Sequence, residues 1–235
     1  MPESQSARTF ASPDIDRNVH EIRQRIAAAA ARSGRFPSEI TLIAVTKTVS
    51  ADVIRQVSSS GIRDFGESRV QEAAAKTEYL RTLDLKPVWH MVGHLQTNKA
   101  KAAVELFDCI HSIDSLKVAQ AVSHHATRDI TVLIQVNVAG EDTKSGFSPD
   151  EVSSALTEVS RLPHIEVKGL MTITPYTRAP EEVRPVFREL RRLRDSLALE
   201  HLSMGMTDDF EIAVEEGATM VRIGRAIFGD REGQP

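Results

Sequence analysis

Short apolar runs alternate with longer amphipathic segments along most of the chain. Eight of these runs, rich in valine and isoleucine, predict β-strands that begin near Ile40, Ile62, Pro87, Asp108, Ile130, Ile165, His201 and Thr219. The run VLIQVNV at 132–138 is typical of a strand that is buried on both faces of a parallel sheet. Apolar residues at helical spacing predict helices between the strands, at 51–60, 68–80, 98–107, 115–125, 149–161, 180–199 and 208–216.

A further helix precedes the first strand. Its apolar residues recur at helical spacing at Ile15, Val19, Ile22 and Ile26. We predict that it runs from Pro13 to about Ala31, with Ser12 as its cap and the proline in its first turn. The glycine and proline of GRFP at 34–37 are expected to end it.

The order of these elements predicts the fold class. Strands that alternate with helices indicate a parallel sheet, and eight units without a long linker favour a closed (β/α)8 TIM barrel over an open doubly wound sheet. We predict one α/β barrel at 13–230, with a flexible segment at 1–12 before it and a tail at 231–235 after it. Functional residues of such barrels lie at the carboxyl ends of the strands.

Composition narrows the range of partners. The 235 residues are 41% hydrophobic and 26% charged, with a net charge of -4, which suits one large domain and no nucleic-acid or membrane partner. Cys109 is the single cysteine, so an intramolecular disulfide and a cysteine-based zinc site are excluded. The N-terminus lacks the apolar core of a signal peptide, and we therefore expect a cytoplasmic protein.

Lys47 is the first polar candidate, because it follows the apolar stretch at 42–45. A lysine at a strand end is commonly a surface amine whose aliphatic part lies along the protein. A desolvated lysine with a lowered pKa can instead attack a carbonyl and form a Schiff base. The local sequence leaves both interpretations open. A phosphate site in the same barrel mouth would favour the second, because many carbonyl partners of such lysines are phosphorylated.

The segment at 201–229 contains a candidate phosphate site. Ser203 and Gly205 lie where the seventh strand is expected to end, and Arg222 and Gly224 lie at the end of the eighth. In many barrels the loops after these two strands bind phosphate through backbone N–H groups. The alternative is that both glycines are ordinary turn residues and that the serine is a local cap.

We assign structural roles to other polar residues near the strand ends. Asp208 and Asp209 are predicted to begin a helix, where acidic residues interact favourably with the positive end of the helix dipole. His90, His94 and His111 raise the question of a metal site, but no carboxylate motif accompanies them, so we expect none. The usual dinucleotide, phosphate-loop and nucleophile-elbow motifs do not occur.

Six blocks of the sequence together resemble one known family. They are AVTK at 44–47, FGESRVQE at 65–72, WHMVGHLQTNK at 89–99, VNVAGEDTKSG at 136–146, KGLMTI at 168–173 and LSMGMTDDFEIAVEEGATMVRIGRAIFG at 202–229. In sequence and spacing they are similar to the YggS/PROSC family of pyridoxal phosphate-binding proteins. The resemblance extends from about residue 14 to 230.

This resemblance implies a barrel of the alanine-racemase (fold-type III) kind with pyridoxal 5'-phosphate (PLP) at its mouth. Lys47 matches the lysine that forms a Schiff base with the cofactor aldehyde, and Arg222 matches the arginine directed at the pyridine nitrogen. A cation there disfavours protonation of the ring and weakens the cofactor as an electron sink. The positions expected to hold the phosphate are Ser203, Gly224 and the backbone N–H of Arg225, with Gly205 beside them.

The sequence departs from the family pattern at two positions. The family commonly has asparagine where this chain has Ser68, and threonine where it has Arg225. Serine offers fewer hydrogen bonds than asparagine. If only the backbone N–H at 225 contacts the phosphate, the second change leaves the site intact, and we assign the Arg225 side chain no role.

We expect a PLP-holding protein of vitamin B6 and amino-acid homeostasis with little or no catalysis, and we assign no catalytic residue. Racemases of this fold carry a second domain that supplies a catalytic tyrosine, and the sequence leaves no room for one after the eighth unit. Of the two tyrosines, Tyr79 lies on a predicted helix and only Tyr176, after the sixth strand, could approach the site. Two-base racemisation needs an acid or base on each face of the substrate.

Two alternatives stay open. One is a single-domain PLP-dependent racemase or decarboxylase, and the other is a Schiff-base aldolase that uses no cofactor. The sequence blocks disfavour the aldolase, and the missing second domain disfavours the racemase. We expect a monomer, and we name apo forms of PLP-dependent enzymes as candidate recipients of the cofactor.

Overall fold

The computed structural model describes residues 14–82, 85–141, 143–177 and 179–229. Eight parallel strands form a closed barrel in chain order, and the last strand pairs with the first. The strands are β1 Thr41–Val45, β2 Asp64–Glu67, β3 Val88–Met91, β4 Cys109–Ile113, β5 Ile130–Gln135, β6 Ile165–Met171, β7 His201–Ser203 and β8 Met220–Ile223. The predicted (β/α)8 fold is confirmed, and each strand begins within two residues of its predicted start.

Helices surround this barrel. In the described residues they are α1 Ile15–Arg32, α2 Ala51–Ser59, α3 Val70–Arg81, α4 Ala100–Leu106, α5 Leu116–His125, α6 Val152–Val159, α7 Arg184–Ser196, α8 Phe210–Glu215 and α9 Arg225–Phe228. Short 3-10 turns precede α4, α6 and α7, so these α-helices begin later than their amphipathic patterns do. No helix in this part of the chain has both the length and the hydrophobicity needed to cross a membrane.

The start of α1 differs from the prediction. The helix begins at Ile15, and its cap is Asp14, whose carboxylate accepts a hydrogen bond from the N–H of Arg17 at 3.1 Å. Ser12 and Pro13 lie outside the described residues. Serine and aspartate are about equally good caps, so the sequence pattern could not choose between two candidates two positions apart.

The helix α1 packs beside α8 and α9, near the seam where β8 pairs with β1. Its buried residues, such as Val19 and Ile22, face the side of the barrel that carries α8 and α9. The side-chain amide of Asn18 donates to the carbonyl of Ile227 at 2.9 Å. The first and last described helices are therefore joined directly.

The interior of the barrel is only partly apolar. One layer of its core consists of Ile43, Cys109, Leu133, Met171 and Met220. Because side chains alternate along a strand, residues two positions after these also face the interior. They include His111 on β4 and Arg222 on β8, both fully or almost fully buried. A polar layer thus lies above the apolar one, toward the carboxyl ends of the strands.

Candidate functional site

Lys47 lies at the mouth of the barrel, in a tight turn that follows β1. The N–H of Val49 donates to the carbonyl of Thr46 at 2.9 Å and closes this turn. On the preceding strand, Ile43 is the register partner of Arg222 on β8. The lysine, which is half-buried, and the arginine therefore come from neighbouring strands at the seam of the barrel.

The residue after Lys47 has an unusual backbone. Thr48 has φ +65°, in the left-handed region that β-branched residues rarely adopt. This conformation costs about 1–2 kcal/mol for an L-residue. The carboxylate of Glu72 on α3 accepts the N–H of Thr48 at 3.0 Å and helps to hold it. Strain maintained by surrounding contacts is characteristic of functional sites.

A buried ion pair holds the residue before Lys47. The Nζ of Lys76 donates to the carbonyl of Thr46 at 2.6 Å and to Oε1 of Glu67 at 2.5 Å. The hydroxyl of Thr46 donates to the same carboxylate oxygen at 2.5 Å. Burial raises the pKa of Glu67, while the hydrogen bonds from Lys76 and Thr46 oppose that rise. We call Glu67, Lys76 and Thr46 the Lys47 anchor.

Arg222 is a buried cation with two fixed contacts. Its Nη1 donates to Oγ of Ser203 at 2.6 Å, and its Nη2 donates to the carbonyl of Thr172 at 2.8 Å. Its backbone N–H donates to the carbonyl of Gly205 at 3.0 Å. Burial lowers the pKa of the guanidinium to about 10, so it stays charged at neutral pH.

Behind Arg222, a row of polar side chains crosses the interior of the barrel. Oγ of Ser203 lies 2.8 Å from Nδ1 of His111, whose Nε2 lies 2.9 Å from Nδ1 of His90. Nε2 of His90 lies 3.0 Å from a carboxylate oxygen of Asp64, at the start of β2. Sequence reasoning missed this row, although each histidine occupies an inward position of its strand.

His90, Cys109 and His111 are close enough in space to raise the metal question again. Their ligand atoms lie within 4.8 Å of one another. The facing ring nitrogens of the two histidines already share a hydrogen bond. Burial, followed by Asp108 and Asp64, raises the pKa of the thiol to about 12, which keeps it neutral. These features favour an internal hydrogen-bond network over a metal centre.

His94 is separate from the other two histidines. Its Nδ1 lies 2.8 Å from the buried carboxylate of Asp114, while the imidazole itself is largely exposed on the loop after β3. Of the two tyrosines, Tyr79 donates to Asp52 at 2.6 Å on the outer helices. Tyr176, on the loop after β6, is 84% exposed.

The candidate phosphate residues lie on the loops after β7 and β8. Gly205 has φ +90°, and Gly224 directly precedes α9, whose first residue is Arg225. The guanidinium of Arg225 pairs with the carboxylate of Asp208, and both side chains are about half exposed. Arg225, which stands where the family commonly has threonine, therefore links the loops after β7 and β8 through its ion pair with Asp208.

Asp209 directly precedes α8, at the place predicted for a helix start. Its carboxylate accepts the N–H of Met206 at 2.6 Å and the hydroxyl of Thr174 at 2.7 Å. The residue thus shapes the loop after β7 and connects it to the loop after β6. Asp209 therefore has a structural role, but its carboxylate holds the two loops and does not cap the N–H groups of the helix.

Ser68, the other departure from the family pattern, lies where β2 ends. A Cβ atom added to Gly93 would lie 2.4 Å from the carbonyl oxygen of Ser68. Real Cβ contacts essentially never come this close, so glycine is required at 93 for the exits of β2 and β3 to pack together.

Replacing Gly205 with alanine is expected to destabilise the fold by roughly 2–4 kcal/mol, from the φ penalty and from overpacking. A Cβ there would lie 2.5 Å from Cβ of Ala213 and 2.9 Å from Cα of Phe210. Gly140→Ala is the matched control, because Gly140 also has positive φ but no neighbour within 4 Å. Denaturant unfolding of both variants measures the difference, and equal losses would contradict the crowding at Gly205.

Lowering the pH is expected to destabilise the fold through His111. Burial, followed by His90 and Arg222, holds its pKa well below the usual value of a histidine. Below about pH 6.5 the unfolded chain binds a proton at this residue and the folded chain does not. The free energy of unfolding should therefore fall by up to about 1.4 kcal/mol per pH unit from this residue.

Denaturant unfolding at a series of pH values checks this expectation. The slope of the free energy of unfolding against pH should be smaller in His111→Gln and unchanged in the exposed control His124→Gln. Burial also lowers the pKa of His201, which contributes equally in all three proteins. An undiminished slope in His111→Gln would show that this histidine is not held neutral.

Comparison with known proteins places this chain in a family. The family model described as the alanine racemase N-terminal domain matches residues 15–232. A pyridoxal phosphate homeostasis protein of Aquifex aeolicus is 46% identical over 223 residues, which cover 91% of this chain and 97% of that protein. The structure of PipY of Synechococcus elongatus with PLP bound is 35% identical, with a TM-score of 0.80, and covers 92% of this chain and 100% of its own.

An alanine racemase of Clostridium difficile, in complex with cycloserine, shows the likeness of fold alone. It is 16% identical, has a TM-score of 0.69, and covers 97% of this chain and 64% of its own. Fold and site together define an alanine-racemase-type barrel with a lysine directly after β1 and an arginine on the neighbouring strand β8. The chain belongs to the alanine racemase N-terminal domain family. Its similarity to the pyridoxal phosphate homeostasis proteins confirms the resemblance found in the sequence blocks.

Proposed function

We propose that this chain binds PLP at the barrel mouth and serves in PLP, vitamin B6 and amino-acid homeostasis, with little or no catalysis. The observation that carries the proposal is the placement of Lys47 directly after β1 and of Arg222 on the neighbouring strand β8. The name of the Aquifex aeolicus relative and the PLP bound to PipY support it.

The residues at the mouth suit the chemical groups of this cofactor. PLP supplies an electrophilic aldehyde, a pyridine nitrogen and a phosphate. The amine of Lys47 condenses with the aldehyde, with loss of water, to hold the cofactor covalently. The two side-chain contacts of Arg222 use two of its five N–H groups, so donors remain for the ring nitrogen.

The phosphate is assigned to the loops after β7 and β8. Gly205 and Gly224 carry no side chain of their own, and Arg225 is the first residue of α9, so its backbone N–H lies at the start of that helix. The pairing of the Arg225 side chain with Asp208 supports the assignment of only its backbone N–H. Ser203 is the last residue of β7, directly before the first of these loops.

Arg222 is also a reason to expect little or no catalysis. A permanent cation opposite the ring nitrogen disfavours protonation of the ring, which the strongest carbanion chemistry of this cofactor requires. With a guanidinium pKa of about 10, the arginine does not give up its proton at neutral pH. A site of this kind holds the aldehyde without strongly activating an attached amino acid.

A single-domain PLP-dependent racemase or related enzyme is the second candidate. The pair of His94 and Asp114 favours it, because a carboxylate that orients an exposed imidazole makes a competent proton-transfer group. Incubation with a panel of amino acids in deuterated water separates the two functions. Exchange of the α-proton at about 1 to 1000 per second would be the rate of an ordinary enzyme and would contradict the homeostasis proposal.

Covalent trapping tests PLP binding itself. Protein mixed with PLP is reduced with borohydride, digested, and analysed by mass spectrometry. We expect a reduced pyridoxyl phosphate adduct on the peptide that contains Lys47, in stoichiometric yield. An adduct spread over surface lysines would contradict the proposal. Addition of apo forms of PLP-dependent enzymes to the loaded protein tests the predicted recipients, and sedimentation tests the predicted monomer.

A further inference from the structure

The row of polar side chains behind Arg222 is a continuous chain of four hydrogen bonds. It runs from Nη1 of Arg222 to Ser203 at 2.6 Å, to His111 at 2.8 Å, to His90 at 2.9 Å and to Asp64 at 3.0 Å. Its members lie on β8, β7, β4, β3 and β2, so the chain crosses the interior of the barrel. It joins the mouth to the opposite end, where the side chain of Asp64 is 29% exposed.

When both imidazoles are neutral, the two ends of this chain determine the direction of every bond. A guanidinium can only donate and a carboxylate can only accept. Ser203 therefore accepts from Arg222 and donates to Nδ1 of His111. Nε2–H of His111 then donates to His90, and Nε2–H of His90 donates to Asp64. The reverse direction would place a bare ring nitrogen of His90 against the carboxylate.

In this assignment both histidines are neutral and carry their proton on Nε2. The depressed pKa of His111 agrees with a neutral ring. It also uses the hydroxyl proton of Ser203 inside the barrel, where the residue is fully buried. A serine hydroxyl has one proton, so this one has none left for a phosphate.

We infer that Ser203 and His111 are positioning residues for Arg222, and that the Ser203 hydroxyl does not donate to the cofactor phosphate. Ser203 and the carbonyl of Thr172 hold two different nitrogens of one planar guanidinium, which fixes the orientation of its plane. His111 holds the serine hydroxyl in the orientation in which its lone pair faces the arginine. The inference rests on the proposed function in one respect, namely that Arg222 faces the ring nitrogen of PLP.

The hydrogen-bond direction can be tested without any cofactor. Nitrogen-15 NMR of the cofactor-free protein is expected to show His90 and His111 as neutral Nε2–H tautomers. Ser203→Ala should shift the Nδ1 resonance of His111, because it removes the donor to that atom. Ser112→Ala is the matched control, since Ser112 is a fully buried serine on β4 whose hydroxyl has no partner among the described residues. A protonated Nδ1 on either histidine would overturn the inference.

A second measurement compares PLP with pyridoxal, which has the ring and aldehyde but no phosphate. If Ser203 acts through Arg222 and the ring nitrogen, Ser203→Ala should weaken both ligands by the same factor, roughly tenfold for a hydrogen bond to a charged group. In an Arg222→Gln background the same change should add nothing further. A loss confined to PLP would assign the serine to the phosphate and overturn the inference.

The two measurements separate this inference from the proposed function. If the wild-type protein binds neither pyridoxal nor PLP, the proposed function fails. The histidine tautomers in the cofactor-free protein still show the directions of the hydrogen bonds between Arg222 and Asp64. If both ligands bind but the tautomers are reversed, the inference fails and the proposed function stands. Because the wild-type spectrum needs no substitution, a variant that does not fold leaves this test intact.

Discussion

Lys47→Ala is expected to abolish retention of PLP through dialysis and to remove the visible absorbance of the loaded protein. Without the amine no covalent bond to the aldehyde forms, and only the contacts to the ring and phosphate remain. We expect the affinity to fall on the order of a hundredfold or more, or about 2.8 kcal/mol. Absorbance spectra and equilibrium dialysis at several PLP concentrations measure the loss.

Lys99→Ala is the matched control for this change. Lys99 lies on the loop between β3 and α4, at the same end of the barrel, and should keep both the absorbance and the affinity. A Lys47→Ala protein that still retains PLP after dialysis would show that another amine carries the cofactor. A wild-type protein that stays colourless at saturating PLP would remove the basis of the proposed function.

Lys76→Met is expected to cost about 3–5 kcal/mol of stability, the usual loss when one partner of a buried ion pair is removed. Glu67 is fully buried and Lys76 is 10% exposed, so solvent screens their interaction only weakly. The change also removes the donor that holds the carbonyl of Thr46, and the turn at Lys47 should loosen. Denaturant unfolding measures the stability, and PLP titration measures the effect on the site.

Two variants make this test specific. Arg81→Met breaks an exposed pair with Glu78 on the same helix and should change stability little. The double variant Glu67→Leu with Lys76→Met should recover much of the stability, because apolar residues can replace a buried ion pair. It should not recover PLP affinity, since Thr46 stays unanchored. Equal stability of Lys76→Met and Arg81→Met would contradict the role of the Lys47 anchor.

The sequence pattern was sufficient for the barrel and for the place of its mouth. Parallel strands of Val and Ile followed by amphipathic helices have few other solutions, and the loop residues after each strand then collect at one end. The end of the first strand, with Lys47 after it, could be placed beside the strand of Arg222 because a closed barrel brings the first and the last strand together. The start of α1 was wrong by two residues because Ser12 and Asp14 are similar caps.

The polar interior could not be predicted in the same way. Which inward residues meet across a barrel depends on the register between strands. The β4–β5 and β5–β6 pairs contain register shifts, which cannot be predicted from the residue pattern. The approach of His90 on β3 to His111 on β4 follows from the register of those two strands, in which His90 is the partner of Cys109. The buried contacts of Lys76 could not be predicted for a different reason, because a lysine on an amphipathic helix is normally solvated.

The closure of the barrel between β1 and β8 has a consequence for synthesis of the protein. Lys47 is translated well before Arg222, and the register contact between β1 and β8 exists only when β8 is in place. A growing chain therefore exposes the lysine long before it has a cation for the ring or loops for the phosphate. PLP capture should begin only after β8 has been made and has paired with β1, and ribosome-bound chains stalled before residue 220 should fail to retain the cofactor.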